Sequence, residues 1–182
     1  MKFFVSICLV GLVPTAFFGG SAVGQSTLPG STGVPTADSV GLSAATASFL
    51  RTAASANLFE IESSRLALTR SPSGRVKDFA NRMVADHTRA ANSVKQALTE
   101  AGATMPPVVL DDKHQQQLDS LKAAGNAEFD KAYVEAQHKA HIESISLATD
   151  YGRNGDNPRL RALVAQVMPI LQSHLDHVST MR

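Results

Sequence analysis

Four stretches of this chain repeat apolar side chains every three or four positions, each is closed by Gly or Pro turn signals, and no stretch alternates apolar and polar residues in the manner of a strand. That pattern restricts the fold to packed helices. The first stretch runs from about Ser43 to Thr69 and is ended by "RSPSG", where Pro72 and Gly74 interrupt it. The second runs from about Arg75 to Ala101, with Gly102 placed to cap its C-terminus. "TMPPVVLDD" then turns the chain, because consecutive prolines cannot continue a helix. The short piece "KHQQQLDSLKAAG" is amphipathic and reads as a cap or lead-in rather than a core element. The third long helix is predicted from Asn126, taken as its N-cap, to about Tyr151. "GRNGDNP" makes the last turn, with Asn157 as N-cap and Pro158 at the first helical position of the fourth helix. Pro169 lies inside that helix and is expected to bend it. Long helices joined mostly by short turns pack most simply as an antiparallel four-helix bundle, here with a short extra helix before the third long one.

The N-terminus serves another purpose. Lys2 precedes the apolar run "FFVSICLVGLVPTAFFGG" and then small residues, a secretory signal pattern with processing expected near Gly24. The run contains Gly11 and Pro14 and is short for a membrane span, so cleavage is preferred over a retained anchor. Residues 25–41, "QSTLPGSTGVPTADSVG", have no apolar period and read as a flexible linker, leaving 42–182 for the bundle domain. The expected location is the periplasm or the exterior, with membrane anchoring if the signal is kept. Cleavage removes Cys8, the sole cysteine, so the core must hold the domain together without disulfides. With 17 basic and 16 acidic residues, and Lys2 lost on cleavage, the mature chain is formally neutral. It lacks the basic face that nucleic-acid binding requires.

The helical stripes carry the candidate site. In the first helix the inward stripe reads Leu50, Ala53, Asn57, Glu60 with Ile61, Ser64 and Leu68, an unusually polar set. In the second, Val76, Ala80, Met83, His87, Ala90, Val94 and Leu98 place His87 at the centre of an apolar face. The fourth carries Leu160, Val164, Val167, Leu171, His174 and Val178. The third is ambiguous, with Phe129, Tyr133, Ala140 and Leu147 on one side and Val134, Ile142 and Ile145 on the other; His141 lies beside the second set. With the first and last turns taken as level, Glu60, His87 and His141 can share a layer, while His174 falls about a turn away at roughly 1.5 Å per residue.

"FEIESSRLAL", "VKDFANRMVADH", "AEFDKAYVEAQHKAH" and "MPILQSHL", in this order and spacing, resemble the bacterial family called domain of unknown function 4142, which is grouped with the ferritin-like bundles. The resemblance covers the chain from Ser43 onward. It implies a ferritin-like fold and brings no established activity; the family's signature residues, here Glu60, Asp86, His87, His141 and His174, carry no assigned role. Ferritin-like di-iron sites need a Glu-x-x-His pair on each of two helices. Here Val84 precedes His87 by three, His138 precedes His141 and Leu171 precedes His174, and only Glu135 with His138 has the spacing. A di-iron centre is disfavoured.

Two functional readings follow. The interior histidines can form a hydrogen-bonded network with Glu60, Asn57 or Tyr133 that fixes helix register, which makes the protein a non-enzymatic structural or interaction component of the envelope with an envelope protein as partner. Alternatively, Glu60, His87, His141 and His174 hold a single transition-metal ion or a small ligand, since imidazole with a carboxylate suits zinc, copper or iron. His138 with His141, and His174 with His177, stand on neighbouring turns, but the outer member of each pair is expected in solvent. Asp86 points about 100° away from His87 and is expected to pair with Arg82 or Arg89 on the surface. No nucleophile motif, phosphate-binding glycine loop or Cys-x-x-Cys pair appears, so hydrolase and nucleotide-dependent readings lack support.

Overall fold

The computed structural model describes residues 41–182, which form α1 (Ala44–Arg70), α2 (Gly74–Glu100), α3 (Asp112–Ala123), α4 (Asn126–Asn154) and α5 (Pro158–Ser179), with no strand among them. The signal peptide expected over 1–24 and all of the linker except Gly41 lie outside the described residues. No helix of the described residues is long and apolar enough to cross a membrane.

Local chemistry accounts for the helix ends. The Ser43 hydroxyl accepts from the Thr46 N–H at 3.0 Å, and the Asp111 carboxylate accepts from that of His114 at 2.9 Å. Asn157 accepts from both Arg159 and Leu160 at 3.0 and 3.1 Å, ahead of Pro158. Each satisfies donors that a helix N-terminus leaves without intrahelical partners. Gly102 takes φ +69°, the left-handed conformation that lets the Ala103 N–H reach back to the Leu98 carbonyl at 2.9 Å. Two predicted boundaries shift in the third long helix. Asn126 is its first helical residue rather than its cap, since Gly125 caps it, and the helix continues past Tyr151 to Asn154. The Asn126 side chain instead accepts from the Arg70 guanidinium. α5 runs unbroken through Pro169.

In the bundle, α1 packs against α2 and α4, and α5 packs against the same two. Contacts between ends give the directions. Arg70, at the end of α1, donates to the Leu121 carbonyl at 2.9 Å and lies over the Phe129 ring at 4.5 Å, so α4 starts where α1 finishes. At the opposite end Thr46 meets the Tyr151 hydroxyl at 2.6 Å. Arg75, starting α2, donates to the Thr180 carbonyl just beyond α5 at 2.8 Å. Every neighbouring pair is therefore antiparallel, and α2 reaches α4 by one crossover, an arrangement compatible with ferritin-like bundles. The α1–α2 and α4–α5 turns lie at opposite ends, which corrects the assumption that they are level and with it the expected offset of His174.

The crossover contains α3, which is part of the core rather than a lead-in: Leu118 and Leu121 are buried with Phe59, Phe79, Met83, Phe129, Tyr133 and Val178. A latch secures it. Buried Ser55 accepts from the Asp111 N–H at 2.9 Å and meets the His114 Nδ1 at 2.8 Å. Ser, His and Asp are the residues of a hydrolase triad, but here Ser55 and Asp111 both bond the same ring nitrogen, so no proton relay runs through the imidazole. The role is positional. Ser55→Ala is expected to lower stability by about 1–3 kcal/mol, because it strips a partner from two groups at the crossover. An unchanged denaturant midpoint would remove the latch from this account.

Candidate metal centre

Apolar packing divides into two layers. The upper one holds the aromatic cluster just described, and the lower one contains Leu50, Leu98, Tyr151 and Leu160. On every long helix, the residue between these layers that faces the axis is polar: Glu60 on α1, His87 on α2, His141 on α4 and His174 on α5. Their exposures are 1%, 4%, 0% and 1%. In the third long helix packing buries Phe129, Tyr133, Gln137, Ala140, His141, Ala148 and Tyr151 together with Val134 of the second set, and leaves Ile142 49% exposed. His141, seven residues on from buried Val134, lies on the inner edge where the two sets meet.

The three imidazoles form a nearly equilateral triangle. Ring centroids lie 5.7 Å apart for His87 and His141, and 5.4 Å apart for each of the other two pairs. One ring nitrogen from each falls within 4.8 Å of the other two. His174 thus shares the layer instead of lying a turn away.

Each ring uses one nitrogen to fix its orientation. His87 Nδ1 meets the Glu60 Oε2 and Asn57 Oδ1, both at 3.0 Å. His141 Nδ1 meets the Gln137 carbonyl at 2.8 Å, with Glu60 Oε1 at 3.8 Å. His174 Nε2 meets Asp86 Oδ2 at 3.0 Å. All these partners are acceptors, so the proton of each neutral ring resides on the bonded nitrogen and the other nitrogen keeps its lone pair. Those other nitrogens, His87 Nε2, His141 Nε2 and His174 Nδ1, are buried without a hydrogen-bond partner. Native interiors satisfy nearly all buried polar atoms, and three exceptions in one layer call for a common cause.

Charge in the layer is arranged to suit neutral imidazole. Burial pushes the pKa of His141 below the ordinary histidine value against the pull of Glu60. Burial likewise lowers His174, to about 4, against its bond to Asp86, and the other two rings add to the drop. Glu60 is lowered overall: burial raises it, but His87 above all, then His141 and His174, outweigh that. Asp86 behaves similarly, with burial opposed by its bonds to His174 and Arg89.

Asp86 does pair with Arg89, at 2.8 Å, as the sequence suggested, but its second oxygen reaches across to α5, a role not legible from α2 alone. Of the network partners named from sequence, Asn57 and Glu60 are engaged with His87, whereas the Tyr133 hydroxyl bonds Ser64 at 2.8 Å. His138 contacts Arg182, and His177 packs edge-on against Phe79; neither joins the triangle.

A family model described as Domain of unknown function (DUF4142) matches residues 32–181. The chain belongs to the DUF4142 family. No curated protein matches this DUF4142 member in sequence. Two solved structures share its fold. CopM in the Cu(I)-bound form superposes with a TM-score of 0.61 at 18% identity, covering 74% of this chain and 93% of that one. CopM in the Cu(II)-bound form gives 0.60 at 18% identity, covering 74% and 94%. At this identity the likeness is one of architecture.

The charge arrangement gives the metal-free protein a defined pH dependence. A histidine whose folded pKa lies below its unfolded value of 6.5 contributes stability that is complete above that value and is lost as pH falls toward the folded one. For His174 the window runs from 6.5 down to about 4, with His141 shifted in the same direction. The lowered carboxyls of Glu60 and Asp86 add losses only at lower pH, as their folded pKa values are crossed. Denaturant midpoints should therefore fall between about pH 7 and about pH 5, and the His174 shift alone implies a loss on the order of 3 kcal/mol by about pH 4. A flat profile across that range would show these rings to be solvated.

Proposed function

We propose that this protein binds one transition-metal ion through His87 Nε2, His141 Nε2 and His174 Nδ1, and that Glu60, Asp86 and the Gln137 carbonyl orient the rings without ligating. The observation that carries the reading is the set of three buried, unpartnered lone-pair nitrogens in one layer. A network serving packing alone gains nothing from leaving them unpaired, whereas a metal ion satisfies all three. The outer bonds have the form common around metal-ligating histidine, where the second ring nitrogen donates to a carboxylate or carbonyl. Glu60, a candidate ligand from sequence, bonds the Nδ1 side of His87, away from its free nitrogen.

Three neutral imidazoles suit copper or zinc. Copper is the first ion to test, because the architecture is shared with CopM, which has been solved with both Cu(I) and Cu(II). We further read residues 1–24 as an export signal and 25–41 as a spacer, which places the bundle in the periplasm or outside the cell, where it would take up a free ion or receive one from an envelope partner.

Elemental analysis of tag-free protein, loaded with copper, desalted and then treated with a chelator, tests the proposal. About one ion per chain is expected before chelation. Desalted protein that retains only a small fraction of an ion overturns it.

A further inference from the structure

Below the histidine layer the four long helices do not close on one another. They enclose a cavity of about 270 Å³. Alanines stand at several points of its wall, Ala53 and Ala54 from α1, Ala90 and Ala91 from α2 and Ala148 from α4, among larger apolar side chains such as Leu50, Leu147, Leu160 and Leu171. The upper layer of the same helices is filled by Phe59, Phe79, Phe129 and Tyr133. The mouth is rimmed by exposed Val108, Ile170 and Lys95. At the inner end stand Asn57, Glu60, Asp86 and His87, so every buried charged group on the wall belongs to the histidine layer.

This arrangement offers more than a void. His87 is 4% exposed, lines the cavity, and carries one of the nitrogens without a partner. Glu60 meets only Nδ1 atoms of the rings, and no fourth His, Cys, Asp or Glu joins the triangle among the described residues. A metal with three protein ligands keeps a position for an exogenous group, the form seen in catalytic and ligand-exchanging sites rather than closed structural ones. Apolar walls with a few polar groups at one end are the usual build of a small-molecule site.

We propose that the cavity admits a small, uncharged, mainly apolar molecule whose single lone-pair donor completes the coordination of the metal held by His87, His141 and His174. The inference rests on the metal reading above. Size and charge define the ligand class. A cavity of roughly 150 Å³ accommodates benzene, so this one suits a molecule of about ten non-hydrogen atoms. The Glu60 and Asp86 carboxylates at the inner end disfavour an anion, and a protonated nitrogen has no lone pair to give the metal.

The test uses 4-phenylimidazole, an apolar ring with one neutral nitrogen donor, and the full-length protein loaded with Cu(II). It is expected to bind at least about tenfold more tightly than to metal-free protein, and to add a fourth nitrogen to the copper electron paramagnetic resonance spectrum. Ala53→Leu, which fills the cavity away from the rings, should keep its copper and lose this binding. Ala90→Leu provides the same readout should the first variant fail to fold. Copper-loaded protein whose spectrum 4-phenylimidazole leaves unchanged overturns the inference while the metal reading stands, as does a filled variant that binds the probe as tightly as the parent. Protein that takes up no copper overturns both.

Discussion

His141→Ala is expected to cost the protein its bound metal while leaving the bundle folded. Among the three imidazoles, His141 has the fewest ties to the rest of the structure. Its Nδ1 bonds a carbonyl of its own helix, one turn away, and Glu60 is 3.8 Å distant. Its removal therefore opens a small void without leaving a charged partner stranded, at a cost of about 1–3 kcal/mol. The loss in metal affinity should be far greater. Changing a group that merely orients a ligand typically costs tenfold to about a hundredfold, and deleting one of three ligands should exceed about a hundredfold. Equilibrium dialysis against copper, with a thermal melt of the same sample, reads both quantities. Retention of one ion per chain by folded His141→Ala would exclude the triangle as the binding site.

His87→Ala should behave differently, because Glu60 depends on it. The Glu60 carboxylate is 1% exposed and its closest cationic or donor partner is the His87 Nδ1 at 3.0 Å. Without that ring the carboxylate must remain buried with only the long 3.5 Å bond from the Ser144 hydroxyl or take up a proton, and breaking a buried pair from one side typically costs about 3–5 kcal/mol. The loss should appear in metal-free protein, where ligation plays no part. Combining Glu60→Gln with His87→Ala should recover much of it, since a buried neutral amide that loses a hydrogen-bond partner costs less than a buried carboxylate that does. Denaturant midpoints of the two singles and the double give the coupling. A His87→Ala variant no less stable than His141→Ala would contradict the pairing drawn here.

The contrast between these variants reflects what a single chain reveals of its own interior. His87 and His174 were legible because each stands in a clean apolar stripe, where a polar residue is conspicuous. His141 was harder to place, since α4 carries apolar residues on two sides and only packing against α1 and α5 buries the Phe129 and Tyr133 face. The helix ends followed from local chemistry at Gly102 and at Asn157 with Pro158, whereas the cap of α4 shifted by one residue because Asn126 is recruited by Arg70 from another helix. Relations between helices were not legible. The level of His174 depended on which ends of the bundle carry the turns, and the second partner of Asp86 depended on α5 lying beside α2. That alanines of α1 and α2 border a cavity was likewise not legible, because it depends on how far apart the helices stand.

The central claim, that three interior imidazoles share one ion, is tested most directly by anomalous diffraction from crystals of the copper-loaded protein. The expected result is a single strong peak in the layer between the two apolar clusters, with nitrogens of His87, His141 and His174 at about 2.0 Å, the usual distance for imidazole on a divalent ion of this class. A peak on surface groups such as His138 or His177, with the interior triangle still free of metal, would contradict it.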